Sequence, residues 1–375
     1  DVVAVGEKDA FGDGAQDIVL GTTAGLVVAV DAHAKEIWRH EMRGPICHPP
    51  TVADFVGDAA PEVLVMNRRG QLVCLKGATG DVLWSDDLPG GLQWGTTALA
   101  AGDVDADGAL DIVTGLEDGT IVCLRGDGGR LWTVKSPCSG VLCPALADLD
   151  GDGRTEVLVG GEGVPLVCLS SEGKELWRVA GGIGGSPFVY DLDKQGRPEI
   201  VVGVDDKLLA LDASGKTLWT CPLKREMDGA MAIADADGDG DVEIYAVDLS
   251  GYFVCASSTG RVRWTASVEE RARRSPSIGD VDGDGLNEIL VAGYSGAVHV
   301  FDPDGRLEAR VPLPGAVNST ATLAVLGDAG LCAIVPVVND VVEVLRWPNA
   351  KPDAQVLWPE FRYDSRRTGA LLADA

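Results

Sequence analysis

Short apolar segments recur along the whole chain and are separated by segments rich in Gly, Asp and Ser. In one stretch "PALADLD" is followed by the loop "GDGRT", and then by "EVLVGG", "PLVCLSS", the turn "SEGK" and "ELWRVA". Runs of about four to eight β-branched or aromatic residues bounded by such turn residues are typical of strands. Because no segment keeps an apolar period of 3.6 residues, helix is predicted to be nearly absent. The pattern predicts units of four short strands.

This unit repeats at a nearly constant distance of about 45 residues,. The first acidic residue of each loop, or its equivalent, falls at Asp9, Asp54, Asp103, Asp148, Asp191, Asp235, Asp280 and, in a decayed copy, near Val325. The copies cover roughly residues 1–46, 47–94, 95–140, 141–183, 184–227, 228–270, 271–315 and 316–375. Four strands at this spacing are typical of a propeller blade. We predict an all-β, eight-bladed β-propeller of four-stranded antiparallel blades over residues 1–375 as one domain, with seven blades as the alternative.

A tryptophan stands at one repeated position, in the last strand of six units. These residues are Trp38, Trp84, Trp132, Trp177, Trp219 and Trp264, and Ala309 takes the place in the seventh unit. We interpret them as packing between neighbouring blades, because each ring removes a large apolar area from water. Stacking against a sugar is the alternative.

Cysteines occupy another repeated position, in the third strand. Cys74, Cys123, Cys168 and Cys255 alternate there with Ala29, Ala210 and Val300. This exchange indicates a small buried slot in which the thiol acts as a small hydrophobe. Cys138 and Cys143 flank a connection between two blades and could be bridged. The odd total of nine cysteines shows no disulfide framework, so the compartment cannot be derived from them,.

Composition narrows the class of protein. Apolar residues make up 46% of the chain, enough for a large core, and the net charge of −27 argues against a nucleic-acid partner,. No apolar run approaches the roughly 18 residues of a membrane span. The chain starts at Asp1 inside a strand-like segment, which indicates a processed or trimmed N-terminus, so the absence of a targeting signal does not define the compartment.

The repeated loops follow the pattern D-x-D-x-D-G-x-x-[DE]. Four copies are complete: Asp103, Asp105, Asp107, Asp111; Asp148, Asp150, Asp152, Glu156; Asp235, Asp237, Asp239, Glu243; and Asp280, Asp282, Asp284, Glu288. A fifth copy has an amide at its third ligand position: Asp191, Asp193, Gln195, Glu199. Closely spaced carboxylates repel each other, and a hard cation such as Ca²⁺ binds six to eight oxygens at roughly 2.3–2.6 Å. We predict about five structural Ca²⁺ sites; the alternative is that the loops are only turns.

Two comparisons sharpen this prediction. An EF-hand shares the first six positions, but its twelfth position is Glu, whereas here that position lies inside a predicted strand,. The first two repeats keep acids at positions 1, 5 and 9 but carry Phe11 and Val56 at position 3, so we expect weak binding or none there. If the ions are structural, chelation should loosen the fold.

The loop-and-strand unit "ADLDGDGRTEVLVGG" resembles the FG-GAP/VCBS repeat of integrin α-subunit propellers and bacterial surface proteins. The elements "GKELW" and "GKTLW" are similar to the repeat of pyrroloquinoline-quinone-type propellers, as is the closing "WPEFRYDSRRTG". Together the resemblances cover nearly the whole chain. They imply an extracellular, cell-surface or periplasmic calcium-bearing propeller that acts as a binding or scaffold module.

The connections that enter the first strand of each unit should converge around the axis, where propellers usually bind ligands. Two neighbouring connections carry five cations: Lys224, Arg225, Arg271, Arg273 and Arg274. Trp94 lies in a third connection. Arginine forks suit bidentate oxyanions, so this rim is a candidate site for a carboxylated or sulfated glycan or an acidic protein partner. The alternative is a solvated charge run balanced by nearby acids: Glu226, Asp228, Glu269 and Glu270.

Two classes of function remain. A non-catalytic module would bind a glycan or protein through the axial face and need calcium only for folding. The alternative is a glycan-active lyase or hydrolase with a deep axial pocket. The four histidines are scattered, no G-x-S-x-G motif occurs and no two cysteines are adjacent, so no catalytic residue is assigned,.

Overall fold

The computed structural model describes residues 2–5, 17–31, 33–46, 48–91, 99–136, 144–161, 164–182, 184–227, 229, 231–272, 274–326, 330–338, 341–358 and 370–371. Its elements are all β-strands, β1 to β33, and the described residues contain no helix. They form eight sheets, and the first three or four strands of each are consecutive in the chain and paired antiparallel. We number these sheets as blades 1 to 8 in chain order.

Blades 1 to 4 each have four strands. Blade 1 comprises β1 (Val2–Val5), β2 (Ile18–Gly21), β3 (Leu26–Val30) and β4 (Glu36–Glu41). Blade 2 comprises β5 (Thr51–Ala53), β6 (Glu62–Met66), β7 (Gln71–Lys76) and β8 (Val82–Asp87). Blade 3 comprises β9 (Ala100–Gly102), β10 (Asp111–Gly115), β11 (Thr120–Arg125) and β12 (Arg130–Lys135). Blade 4 comprises β13 (Ala145–Ala147), β14 (Glu156–Gly161), β15 (Val164–Leu169) and β16 (Glu175–Val179).

The later blades follow the same order. Blade 5 comprises β17 (Phe188–Tyr190), β18 (Glu199–Val204), β19 (Lys207–Leu211) and β20 (Thr217–Pro222). Blade 6 comprises β21 (Ala232–Ala234), β22 (Glu243–Val247), β23 (Tyr252–Ser257) and β24 (Val262–Ser267). Blade 7 comprises β25 (Ser277–Gly279), β26 (Glu288–Gly293), β27 (Ala297–Phe301) and β28 (Leu307–Pro312). Blade 8 comprises β29 (Thr322–Val325), β30 (Leu331–Val337) and β31 (Val341–Arg346).

The first strand of each blade lies at the centre of the ring. The first strands of neighbouring blades contact each other, as β9 does with β13 and β21 with β25. The second strands β6, β10, β14, β18, β22 and β26 are buried at every position. The fourth strands expose alternate residues, so they form the outer edge. The prediction of an all-β, eight-bladed propeller is confirmed.

The hydrophobic core is divided into clusters between neighbouring blades. One cluster joins blades 2 and 3, another blades 3 and 4, and a third blades 4 and 5. Blades 8 and 1 are joined by Ile18, Ala324, Leu326, Cys332 and Ile334, so side-chain packing closes the ring at this point. Cys74, Cys123, Cys168 and Cys255 are buried free thiols, which confirms the predicted slot. Cys138 and Cys143 lie outside the described residues.

The repeated tryptophans join each blade to the next. The indole N–H of each of the six donates to a backbone carbonyl in the following blade at 2.5–2.9 Å, as Trp132 does to Ser171. Each ring also packs on a turn glycine of that blade, where a Cβ would lie only 2.4–3.0 Å from the ring. Packing between blades is confirmed, and the ring face that lies on the glycine is not available to a sugar.

The end of the chain departs from the predicted repeat. Blade 8 has three strands in the described part of the chain, and the final segment joins other blades. Strand β32 (Val356–Trp358) pairs antiparallel with β25 of blade 7, and β33 (Ala370–Leu371) pairs parallel with β17 of blade 5. The Trp358 ring is fully buried, with its centroid 4.7 Å from that of Phe188 in β17. In the described part of the chain, the eighth unit thus contributes three strands to its own blade, and the chain end lies against the central strands.

Candidate metal loops and ligand rim

The five predicted loops connect the first and second strands of blades 3 to 7, at residues 103–111, 148–156, 191–199, 235–243 and 280–288. We call them the acidic loops. The first acid of each folds the loop around itself by accepting backbone N–H groups. Asp148, for example, accepts from Gly151 at 2.7 Å and from Gly153 at 2.9 Å. The glycine at position 6 has a positive φ in all five loops, which is the conformation that the sharp turn requires,.

The acid at position 9 begins the second strand and is buried. Asp111, Glu156, Glu199, Glu243 and Glu288 are each at most 8% exposed. In four of the loops this carboxylate accepts the backbone N–H of position 2, as Glu156 does from Leu149 at 2.8 Å. One carboxylate oxygen of the closing acid thus accepts a backbone hydrogen bond from its own loop, and the side chain is buried at the base of the loop.

The buried acids resist ionisation in the protein alone. Burial, reinforced by the neighbouring aspartates, raises the pKa of Asp111 to about 6, of Glu156 to about 7 and of Glu288 to about 8. Desolvation disfavours the charged form, and adjacent like charges disfavour it further. A cation among these oxygens would relieve both effects.

The carboxylates also converge. Ligand atoms of three acids lie within 4.8 Å of one another in each of these groups: Asp103, Asp105, Asp111; Asp148, Asp150, Glu156; Asp191, Asp193, Glu199; and Asp235, Asp237, Asp239. Oxygen donors held this closely suit a hard cation such as Ca²⁺. One oxygen of Asp105 is buried without a hydrogen-bond partner, although the other lies 3.4 Å from Arg125. The donor chemistry therefore fits the predicted ion, and the metal assignment stays a prediction.

The second repeat, expected to bind weakly, shares much of this arrangement. Asp54, Asp58 and Glu62 lie within the same 4.8 Å, and Glu62 accepts from Phe55 at 2.7 Å. Val56, at position 3, contributes no oxygen and is 40% exposed. Blade 2 thus keeps the buried closing acid but lacks one ligand. In the first repeat, Phe11 lies outside the described residues.

The acidic loops of neighbouring blades are bonded to each other. The hydroxyl of Thr155 donates to the carbonyl of Asp103 at 2.6 Å, and the amide of Asn287 donates to the carbonyl of Ala236 at 3.4 Å. Lys194, in the loop of blade 5, pairs with Asp241 in the loop of blade 6 at 2.9 Å. The loops therefore form a belt on one face of the ring, with bonds between blades 3 and 4, blades 5 and 6, and blades 6 and 7.

Two residues of the fourth strands, which the loop motif did not indicate, lie beside this belt. The Arg263 guanidinium is 2.8 Å from a carboxylate oxygen of Asp237 and 3.2 Å from one of Asp239, and it also pairs with Glu243. In blade 7, burial raises the pKa of Glu308, as do the charges of Asp302 and of the acidic loop. The signal was present in the sequence, because each residue stands immediately before the repeated tryptophan position.

The predicted ligand rim lies on the opposite face, at the connections from fourth to first strands. Lys224 and Arg225 are exposed, and their backbone amides are held by Asp248 at 3.1 and 2.9 Å. The Lys224 ammonium lies 4.1 Å from the centroid of the Tyr252 ring, an aromatic contact that sequence reasoning missed. Cation–π geometry of this kind orders the lysine.

The second connection places Arg271 in solvent and Arg274 partly buried. The Arg274 Nε donates to the carbonyl of Asn318 in the next connection at 2.8 Å. The carbonyl of Arg271 accepts from the backbone of Tyr294, whose side chain is 44% exposed and was also missed. Arg273 and Trp94 lie outside the described residues.

One of the acids expected to balance these cations is engaged elsewhere. The Glu270 carboxylate accepts from the backbone and the hydroxyl of Ser295, and it lies 3.8 Å from both His299 and Arg310. Its partners belong to blade 7. The alternative interpretation, a solvated charge run balanced by nearby acids, stays a prediction.

These features define an eight-bladed propeller with acidic loops on one face and cations with aromatic residues on the other. Residues 117–302 match the pyrroloquinoline-quinone-type family model described as outer membrane protein assembly factor BamB, and residues 17–88 match the Lambda-carrageenase beta-propeller domain. The resemblance to pyrroloquinoline-quinone-type propellers is thus confirmed over part of the chain, while that to FG-GAP/VCBS repeats stays a prediction. No curated protein sequence matches significantly.

Solved structures share the fold across almost the whole chain. BamB from Moraxella catarrhalis is 18% identical with a TM-score of 0.63, covering 92% of this chain and 94% of that one. The biofilm matrix protein Bap1 of V. cholerae is 14% identical with a TM-score of 0.69, covering 98% and 92%. Saccharomyces cerevisiae Sqt1 is 13% identical with a TM-score of 0.72, covering 92% and 95%. Among the described residues, no helix is long and apolar enough to cross a membrane.

Proposed function

We propose that this protein is a calcium-stabilised β-propeller that binds a glycan or protein partner outside the cytoplasm. The acidic loops would hold structural Ca²⁺, and the opposite rim would form the ligand site. The observation that carries this proposal is the separation of the two kinds of chemistry: converging carboxylates lie on one face, and exposed Arg225, Arg271 and Tyr294 lie on the other.

The rim favours an anionic partner. Arginine guanidinium groups form bidentate pairs with sulfate and carboxylate oxygens, and tyrosine rings offer flat amphipathic contacts. In a protein of net charge −27, such a cluster would attract anions locally against an unfavourable overall field,. The names of the matched proteins, a carrageenase domain, a biofilm matrix protein and an outer membrane assembly factor, support a glycan or protein partner and an extracytoplasmic setting.

A glycan-active enzyme is the second candidate, favoured by the match of residues 17–88 to the carrageenase propeller domain. That function would need a deep axial pocket with convergent acids or tyrosines. The chain end lies against the central strands of blades 5 and 7, where it reduces the space for such a pocket. This observation favours the binding module over the enzyme.

Binding to sulfated λ-carrageenan, its desulfated form and a neutral glucan would test the proposal. Reversing the charge of Arg225 and Arg271 together should abolish binding to the sulfated polymer, whereas Lys216→Glu, an exposed site near the opposite face, should not. Equal binding by the rim variant and the unmodified protein would remove the rim from the proposal. Release of new reducing ends would favour the enzyme.

A further inference from the structure

A β-bulge recurs in the fourth strand of blades 1 to 7. The pairing of third and fourth strands shifts by one residue immediately before the repeated tryptophan position, so one residue is left out of the ladder. These bulge residues are Ile37, Leu83, Leu131, Leu176, Leu218, Arg263 and Glu308. A bulge redirects the side chain of the extra residue, and bulges concentrate near functional sites.

Blade 6 uses this position to deliver a cation into its own acidic loop. Arg263 contacts three carboxylates of that loop, including Glu243, whose side chain is only 2% exposed. The closing acid of this loop also differs from the other four, because its carboxylate accepts hydrogen bonds from Arg263 and the Tyr245 hydroxyl rather than from the N–H of position 2. Arginine keeps its charge at any accessible pH and donates up to five hydrogen bonds.

The other bulge residues cannot do this. In blades 4 and 5 the position holds Leu176 and Leu218, which are 52% and 50% exposed. Blade 7 carries Glu308, which adds negative charge near its loop. Six of the seven blades therefore leave their loop without a counter-charge from this position, and only blade 6 supplies one among the described bulges.

We propose that Arg263 is a built-in substitute for the divalent cation, so that the acidic loop of blade 6 is stabilised by the chain itself and binds no Ca²⁺. This inference rests on the proposed calcium sites and deepens them. The five complete or nearly complete loops would then hold four ions. Arg263 offsets one negative charge of this loop, and Lys194 offsets a second by pairing with Asp241, so neither charge needs a metal ion.

Equilibrium dialysis with calcium quantification would test this on the intact protein. Arg263→Leu, which installs the residue type of blades 2 to 5, should bind one Ca²⁺ more than the unmodified protein. Leu218→Arg, the reciprocal change at an exposed position, should bind one fewer. Equal stoichiometry in all three proteins would overturn the inference while leaving the calcium proposal intact.

A second measurement does not depend on metal. In excess chelator, Arg263→Leu should lower the thermal unfolding midpoint by roughly 5 °C, because it leaves Glu243 buried without its cation. Added calcium should restore that midpoint. An unchanged midpoint in chelator would contradict the role of Arg263. If no variant bound calcium, the proposed function would fail, and this unfolding measurement would still decide the role of Arg263.

Discussion

The closing acid of the blade 4 loop provides the sharpest test of metal binding. Glu156 is 5% exposed and accepts a hydrogen bond from the Leu149 amide at 2.8 Å. Glu156→Gln removes one negative charge and keeps a carbonyl oxygen that can accept the same bond. The substitution should therefore act in opposite directions, stabilising the metal-free protein and destabilising the calcium-loaded protein.

The structure sets the size of both effects. Burial raises the pKa of Glu156 to about 7. Each pKa unit is worth about 1.4 kcal/mol, so ionising this group at about pH 8 costs the fold on the order of 3 kcal/mol. A buried amide N–H₂ costs about 1–3 kcal/mol if it lacks a partner, which leaves a net gain of about 1 kcal/mol in chelator. With calcium, a loss of affinity of about ten- to a hundredfold would remove about 1.4–2.8 kcal/mol.

Chemical unfolding at pH 8, in chelator and in millimolar calcium, would measure both effects. Glu62→Gln in blade 2 is the matched control, because Glu62 is 2% exposed and accepts from Phe55 but lacks an acid at position 3. The control should show the gain in chelator and little change with calcium. If Glu156→Gln shifted stability in the same direction under both conditions, the calcium assignment of this loop would be refuted.

Two further predictions concern the whole fold. Burial raises the pKa values of Asp111, Glu156 and Glu288 to about 6, 7 and 8. The folded protein therefore favours the protonated acids, and their contribution to the free energy of unfolding is complete below about pH 4.5 and is lost as pH rises through these values. Thermal scans of the metal-free protein should show a midpoint that falls between about pH 5 and pH 8.5, and saturating calcium should remove most of that fall. Trp358→Ala should cost about 3–5 kcal/mol in guanidinium unfolding, since the ring is fully buried against Phe188,; a loss below about 1 kcal/mol would show that the chain end does not hold blades 5 and 7 together.

The repeated part of the fold could be predicted because its signals are local. Each blade places its turn residues and apolar runs within about 45 residues, and the acidic loop lies in nine consecutive positions,. The contacts of Trp132 with the next blade followed from the recurrence of one large ring at one register position.

The chain end could not be predicted in the same way. Trp358 pairs opposite Ile278, and Ala370 pairs opposite Val189, both far back along the chain. Pairing between distant segments leaves no periodic pattern near either partner, so the segment was assigned to the nearest blade. The contact of Arg263 with its loop could not be predicted for a related reason, since the side chain reaches the loop from a strand that the loop motif does not include.

The arrangement of the two faces determines how calcium can influence a partner. The backbone of the rim at Lys224 and Arg225 is held by Asp248, in the turn between second and third strands, and not by any acidic loop. The acidic loops are bonded to one another at the other end of the same strands. Calcium bound in the acidic loops would therefore have no direct contact with the predicted ligand site and would affect it only through the stability of the blades. Loss of partner binding in chelator should consequently follow the unfolding curve, and Arg263 should make blade 6, which carries Lys224 on the connection entering it, the least dependent on calcium of the five blades that carry acidic loops.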